Sequence, residues 1–186
     1  MTSAASVGGD ERLRLFLALR LPDTALDALV EWQSAALAGA DVRVLPRDHL
    51  HLTLAFLGSR PASELDAIVG ALRAAAADTA AELRLAPAGY RETRSVAMVV
   101  LDDLDGGATA LAGDVQARLE ALGVYRREQR RWLPHVTVAR FRERPRLRLE
   151  PPPMGTLVPS DAAAYLSRLH PDGARYVVLE SVALGG

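Results

Sequence analysis

The chain has 186 residues, 49% of them hydrophobic, enough for one globular domain with a sizeable core and too apolar for a linker or tail. Its formal net charge of −1 excludes a protein that coats nucleic acid through a uniformly basic surface, so any nucleic-acid contact must be local. The lack of cysteine excludes a disulfide framework, a thiolate metal site and a thiol nucleophile.

Met1 to Gly9 is small and polar, without the basic-then-apolar pattern of a signal peptide, and no apolar run has the length that crossing a bilayer requires. The expectation is a cytoplasmic protein without membrane attachment, with a disordered tail over residues 1–10 and a single domain over 11–186. All 22 basic residues are arginine. The guanidinium fork suits phosphate, but alongside so much Ala, Leu and Gly the total reads more simply as the codon bias of a G- and C-rich genome.

Along the chain, Leu13, Leu15, Leu17, Leu19 and Leu21 alternate with other residues as a buried strand, until Pro22 and Asp23 stop it. Leu26, Leu29, Val30 and Leu37 predict an amphipathic helix over 23–38, with Asp23 or Thr24 as its N-cap. Val42 to Leu45 is a short strand, and after a Pro46-Arg47-Asp48 turn a strand runs from His51 to Leu57 and ends at Gly58. Leu65, Ile68, Val69 and Leu72 mark a second helix. Strands are expected at Glu82 to Ala86 and Val96 to Leu101, and a third helix on Leu111, Val115, Leu119 and Leu122, closed by Gly123. A strand over Pro134 to Phe141 follows. Two more, Ala163 to Leu169 and Arg175 to Leu184, are joined by the Pro171-Asp172-Gly173 turn.

The strand at His135 repeats the one at His51, 84 residues earlier: His51-Leu52-Thr53-Leu54-Ala55 against His135-Val136-Thr137-Val138-Ala139. Side chains at i and i+2 of a strand share a face, so each copy presents one imidazole and one hydroxyl while Leu52, Leu54, Val136 and Val138 turn into a core. Two similar lobes are inferred, their strands bringing both pairs to one cleft. That set suits phosphodiester chemistry without a metal. Two imidazoles in opposite protonation states take a proton from an attacking oxygen and give one to a leaving oxygen, and threonine hydroxyls donate to the phosphate oxygens. A single His-x-Thr is a weak signal, because a strand histidine is usually structural; the repetition makes the case.

On these motifs the chain resembles the two-histidine (2H, HxTx) phosphoesterase superfamily, and within it the bacterial and archaeal RNA 2′,3′-cyclic phosphodiesterases first named 2′-5′ RNA ligases. The likeness includes the opening Arg14-Leu15-Phe16-Leu17-Ala18-Leu19, both motifs with their approaches, and the ending from Ser167-Arg168-Leu169 to Gly173-Ala174-Arg175-Tyr176. The resemblance implies an α+β fold, a bilobal pseudo-two-fold arrangement of two antiparallel sheets lining a central cleft with helices outside. It also implies hydrolysis of RNA 2′,3′-cyclic phosphate ends to 2′-phosphomonoesters, with 2′-5′ ligation as the reverse-type reaction and no cofactor or metal. By the family's assignment His51 protonates the leaving oxygen and His135 activates water, while Thr53 and Thr137 bind phosphate. The implied partner is RNA ending in a 2′,3′-cyclic phosphate, tRNA halves included, acted on by a monomer with no obligate protein partner.

Further candidates for substrate binding are Arg130, Arg131, Arg140, Phe56 and Trp132. Nine arginines lie between Arg126 and Arg148, a local positive rim. Arg140 points away from the motif face in a regular strand, so its role depends on a bulge. Phe56 and Trp132 flank the motifs as stacking platforms, with core packing the simpler use, above all for Phe56. His49 and His51 form a His-x-His pair, but no carboxylate is placed to orient His49, and no metal site is expected. His170 reads as a surface residue. Two other readings keep the same cleft: a phosphodiesterase for a small cyclic nucleotide or ADP-ribose cyclic phosphate, and a non-catalytic binder of RNA ends.

Overall fold

The computed structural model describes residues 11–79, 82–171 and 173–185, so the tail expected over 1–10 lies outside the described residues, as does Asp172 of the last turn. Among the described residues there are eight strands and three helices: β1 (Arg12–Leu19), α1 (Asp23–Ala36), β2 (Arg43–Val44), β3 (Leu52–Pro61), α2 (Leu65–Ala77), β4 (Leu85–Glu92), β5 (Val96–Asp103), α3 (Gly107–Ala121), β6 (His135–Arg140), β7 (Asp161–His170) and β8 (Gly173–Ala183). None of the helices is long and apolar enough to cross a membrane.

The strands form one curled antiparallel sheet in the order β4-β5-β6-β3-β1-β7-β8, with β2 also paired to β6. This corrects the expectation of two separate sheets. The halves β4-β5-β6 and β3-β1-β7-β8 are joined by the registered pair Leu52↔Val136 between β3 and β6. Nor are the halves successive stretches of chain. The early strand β2 pairs with β6, and the late strand β7 pairs along β1, so each half borrows from the other end of the sequence.

The helices follow their apolar spacing. In α1 the buried residues Ala25, Leu29, Trp32 and Gln33 make one stripe, and in α3 Ala108, Leu111, Ala112, Val115, Gln116 and Leu119 make another. The N-cap expectation for α1 is not met. Pro22 occupies that position without a side-chain cap, and the Asp23 carboxylate instead accepts from Arg47 Nη2 at 2.8 Å. Gly123 does close α3 as expected: at φ +71° it takes the left-handed conformation, and Val124 N–H reaches back to Leu119 O at 3.1 Å.

β4 runs on from Leu85 to Glu92, well beyond the end expected near Ala86. Pro87 and Gly89 hide it in the sequence. Both are tolerated here because β4 lies at the end of the strand order and a bulge drops Ala88 from its pairing with β5.

β1 is buried on both faces. Leu15, Leu17 and Leu19 enter the main core, whereas Phe16 and Ala18 pack with Ala163 and Tyr165 in a small cluster on the other side. Phe16 of that second cluster, and Tyr176 packed against it, also line the cleft described next.

Candidate active site

The Leu52↔Val136 pair sends both side chains into the core, each 0% exposed. Their neighbours therefore turn to the opposite face. In an antiparallel pair this sets His51 across from Thr137 and Thr53 across from His135. All four line a single cleft with Phe16, Leu45, His49, Phe56, Arg140 and Tyr176.

His51 sits at the entry to β3, its ring stacked on Phe16 with centroids 4.8 Å apart and meeting Tyr176 edge-on at 5.5 Å. Part of the residue stays open to the cleft, while its Nδ1 is buried without a hydrogen-bond partner. Burial, reinforced by the positive forms of His49 and His135 and by Arg140, pushes the His51 pKa down to about 4, against the pull of the His49 carbonyl. His51 is therefore neutral at neutral pH when the cleft is empty of substrate. His135 is held differently. Its Nδ1 lies 2.8 Å from Leu133 O, and because a carbonyl only accepts, Nδ1 carries the hydrogen and Nε2 of the neutral ring keeps a free lone pair.

Arg140 reaches the cleft because β6 is not regular. Its pairing with β5 passes from Met98↔Thr137 to Ala97↔Ala139, leaving out Val138, and this bulge brings residue 140 onto the face of Thr137. The same irregularity follows the first motif. The β1 pairing passes from Ala18↔Thr53 to Leu17↔Ala55, leaving out Leu54, and Phe56 comes onto the face of Thr53. Phe56 is 50% exposed and so is not the core residue the sequence suggested; the Arg14 guanidinium lies over its ring at 4.9 Å.

The remaining candidates lie outside the cleft lining. Trp132 is part-buried and its indole N–H donates to Thr53 O at 3.0 Å, tying the approach of the second motif to the first. Arg130 is exposed and paired with Glu128 at 3.1 Å, and Arg131 is exposed. His170 is the exposed last residue of β7.

Sequence reasoning gave no site role to Phe16, Leu45, His49 or Tyr176. His49 is buried against Tyr176 with ring centroids 4.4 Å apart, and burial above all lowers its pKa, with Arg43 and Arg140 adding and Asp48 opposing. The sequence did hold a signal for Phe16: a large aromatic between the inward leucines of β1 implies a second covered face. For Tyr176, more than a hundred residues from either first-motif group, the signal was its place at the end of the Gly173-Ala174-Arg175-Tyr176 stretch that carries the family resemblance. Among the described residues no group of three or more His, Cys, Asp or Glu is placed to hold a metal ion.

A family model described as the 2′-5′ RNA ligase superfamily matches residues 21–169. The chain belongs to that superfamily. An RNA 2′,3′-cyclic phosphodiesterase from Thermus thermophilus is 31% identical over 188 residues, covering 94% of this chain and 91% of the relative. A crystal structure of a Thermus thermophilus protein is 32% identical, with a TM-score of 0.77 over 94% of this chain and 99% of the other. The crystal structure of E. coli LigT complexed with NADP+ shares the fold, with a TM-score of 0.81 at 23% identity over 95% of this chain and 100% of the other. The chain is thus a 2H phosphoesterase by family.

Proposed function

We propose that this chain hydrolyses RNA 2′,3′-cyclic phosphate ends to 2′-phosphomonoesters, with His51 and His135 exchanging the protons and Thr53 and Thr137 holding the phosphate. The observation that carries the reading is the Leu52↔Val136 pair, which gathers two His-x-Thr motifs 84 residues apart on one face. The activity of the 31%-identical relative supports the choice of substrate.

In this mechanism Nε2 of His135 takes a proton from water as its oxygen attacks phosphorus. The bond from phosphorus to the 3′-oxygen breaks, and His51 gives that oxygen its proton, leaving the phosphate on the 2′-oxygen. A 5′-hydroxyl in place of water yields a 2′-5′ phosphodiester by the same transfers. His51 must be charged to act as the acid, although it is neutral in the free protein. The cyclic phosphate anion supplies the opposite charge that raises its pKa as substrate binds. Thr53, Thr137 and Arg140 face the non-bridging oxygens, where donors held in place lower the barrier.

The deciding experiment is incubation of the protein, in chelator, with a short RNA ending in a 2′,3′-cyclic phosphate, with the product identified as the 2′- or 3′-monoester. A 2′-phosphate formed by wild type and lost in His51→Ala and His135→Ala is the expected result. Turnover of cyclic mononucleotides but not RNA would move the substrate to small cyclic phosphates, and no turnover of either would overturn the enzymatic reading.

A further inference from the structure

Two glutamines are among the few buried polar side chains of the described residues: Gln33, 2% exposed, and Gln116, 7% exposed. Each lies on the apolar stripe of its helix, where a primary amide is costly to bury unless it is hydrogen-bonded. Both find the same kind of partner. Gln116 Nε2 donates to Leu54 O at 2.9 Å, and Gln33 Nε2 donates to Val138 O at 2.7 Å and to Leu45 O at 3.1 Å. Leu54 and Val138 are the two residues that the bulges leave out of register, one position after each motif threonine. A bulge interrupts the ladder, so its backbone groups draw on partners from elsewhere: Val138 O also accepts from the Leu45 N–H, just after β2, at 2.9 Å, and Gln33 adds a second bond to it.

The arrangement is reciprocal. α1, from the early chain, reaches the second motif, and α3, from the late chain, reaches the first, over separations of 105 and 62 residues. The consequence at the cleft follows from parity. In a regular strand the third residue after Thr53 or Thr137 faces the core; with the bulge it faces the cleft, which is where Phe56 and Arg140 stand.

We propose that Gln33 and Gln116 are positioning residues that lock the two bulges, Gln33 holding Arg140 and Gln116 holding Phe56 in the cleft. The inference rests on the reading of this cleft as catalytic. It assigns the two glutamines one role each, and the roles do not cross.

The test is a set of double-mutant cycles on kcat/KM with the cyclic phosphate substrate that wild type turns over, in variants confirmed as folded. Gln33→Leu and Arg140→Ala are expected to couple by roughly tenfold, the size of a contact interaction, so that the second change costs little once the first is made. Gln116→Leu and Phe56→Ala are expected to do the same. The crossed pairs, Gln33→Leu with Phe56→Ala and Gln116→Leu with Arg140→Ala, are expected to be additive, which a general loss of stability would not produce. Additive effects in the matched pairs, or folded glutamine variants with wild-type kinetics, overturn the proposal. Gln33→Met and Gln116→Met, unbranched and close in length, replace leucine variants that fail to fold. The bonds themselves are read in the wild-type protein, whether or not it turns over any substrate tried, as slow hydrogen exchange of both side-chain amides. Exchange at free-amide rates overturns the clamp independently of the functional reading.

Discussion

Leu52 of β3 and Val136 of β6 face each other across the seam of the sheet, both fully buried, and that pair sets the two motifs against each other. Because each is flanked by a histidine and a threonine, one hydrophobic contact sets the spacing of two imidazoles and two hydroxyls. The proton transfers proposed for the two ends of the reaction then share one register.

His51→Ala and His135→Ala are each expected to lower kcat by about 10²- to 10⁴-fold, the usual worth of one general acid or base. The fold should survive, since both residues face the cleft and not the main core. Steady-state kinetics beside circular dichroism checks this; an active variant of either histidine would remove it from the mechanism.

In histidine NMR titrations of the free protein, His51 should stay neutral down to about pH 4. Saturating inorganic phosphate should raise that value, because an anion in the cleft stabilises the charged ring. A His51 pKa unmoved by phosphate would contradict its role as the acid.

The same shift makes a prediction for stability. In the unfolded chain His51 returns to its ordinary value of 6.5, so below that pH the unfolded state binds the extra proton. The stability associated with neutral His51 is therefore complete above pH 6.5 and is lost as pH falls toward 4. At about 1.4 kcal/mol per pKa unit the loss reaches roughly 3 kcal/mol. His51→Gln should lose less stability than wild type between pH 7 and pH 4.5 in urea titrations; parallel losses would count against a depressed pKa.

Glu92, with a side chain 2% exposed, accepts from Tyr90 Oη, Arg144 Nε and the backbone N–H groups of Arg146 and Leu147, and so anchors the arginine-rich segment that follows β6. Burial alone would raise its pKa, but these donors outweigh it and hold the carboxyl below its usual range. Glu92→Ala leaves the donors unpaired and should cost about 3 kcal/mol, a fall in Tm of roughly 6–12 °C for a chain of this size. The contribution of the ionised carboxyl is present above pH 4.5 and lost as pH falls. Thermal melts at pH 7 and pH 3.5 check both: the gap between wild type and variant should narrow at the lower pH.

Both proton transfers assigned to this cleft are made by side chains of the chain itself, so turnover is expected to be unchanged by excess chelator. Loss of activity on chelation, restored by adding back a divalent ion, would require a different mechanism.

Several features were legible because their cause is local. The alternation of β1, the apolar stripes of α1 and α3, the glycine stop at Gly123 and the repeated His-x-Thr each depend on residues a few positions apart. β4 is longer than its pattern indicates because Pro87 and Gly89 break the strand alternation, and only a place at the end of the sheet makes them harmless. For Arg140 the sequence leaves the outcome to a bulge, and for Phe56 it leaves a stacking platform beside the simpler use in the core, since a bulge depends on the neighbouring strand and on a helix 105 or 62 residues away in sequence.

The sequence by itself determined which groups are available for the proposed chemistry, because imidazole and hydroxyl bring their reactivity wherever they are placed, and the two-residue period of a strand puts them on one face. Only the tertiary structure decided that two motifs share one sheet, that His51 loses its charge in an enclosed site, and that Phe56 and Arg140 turn inward. Those outcomes rest on pairing register, burial and hydrogen bonds between distant segments, none of which is a property of any short stretch of chain.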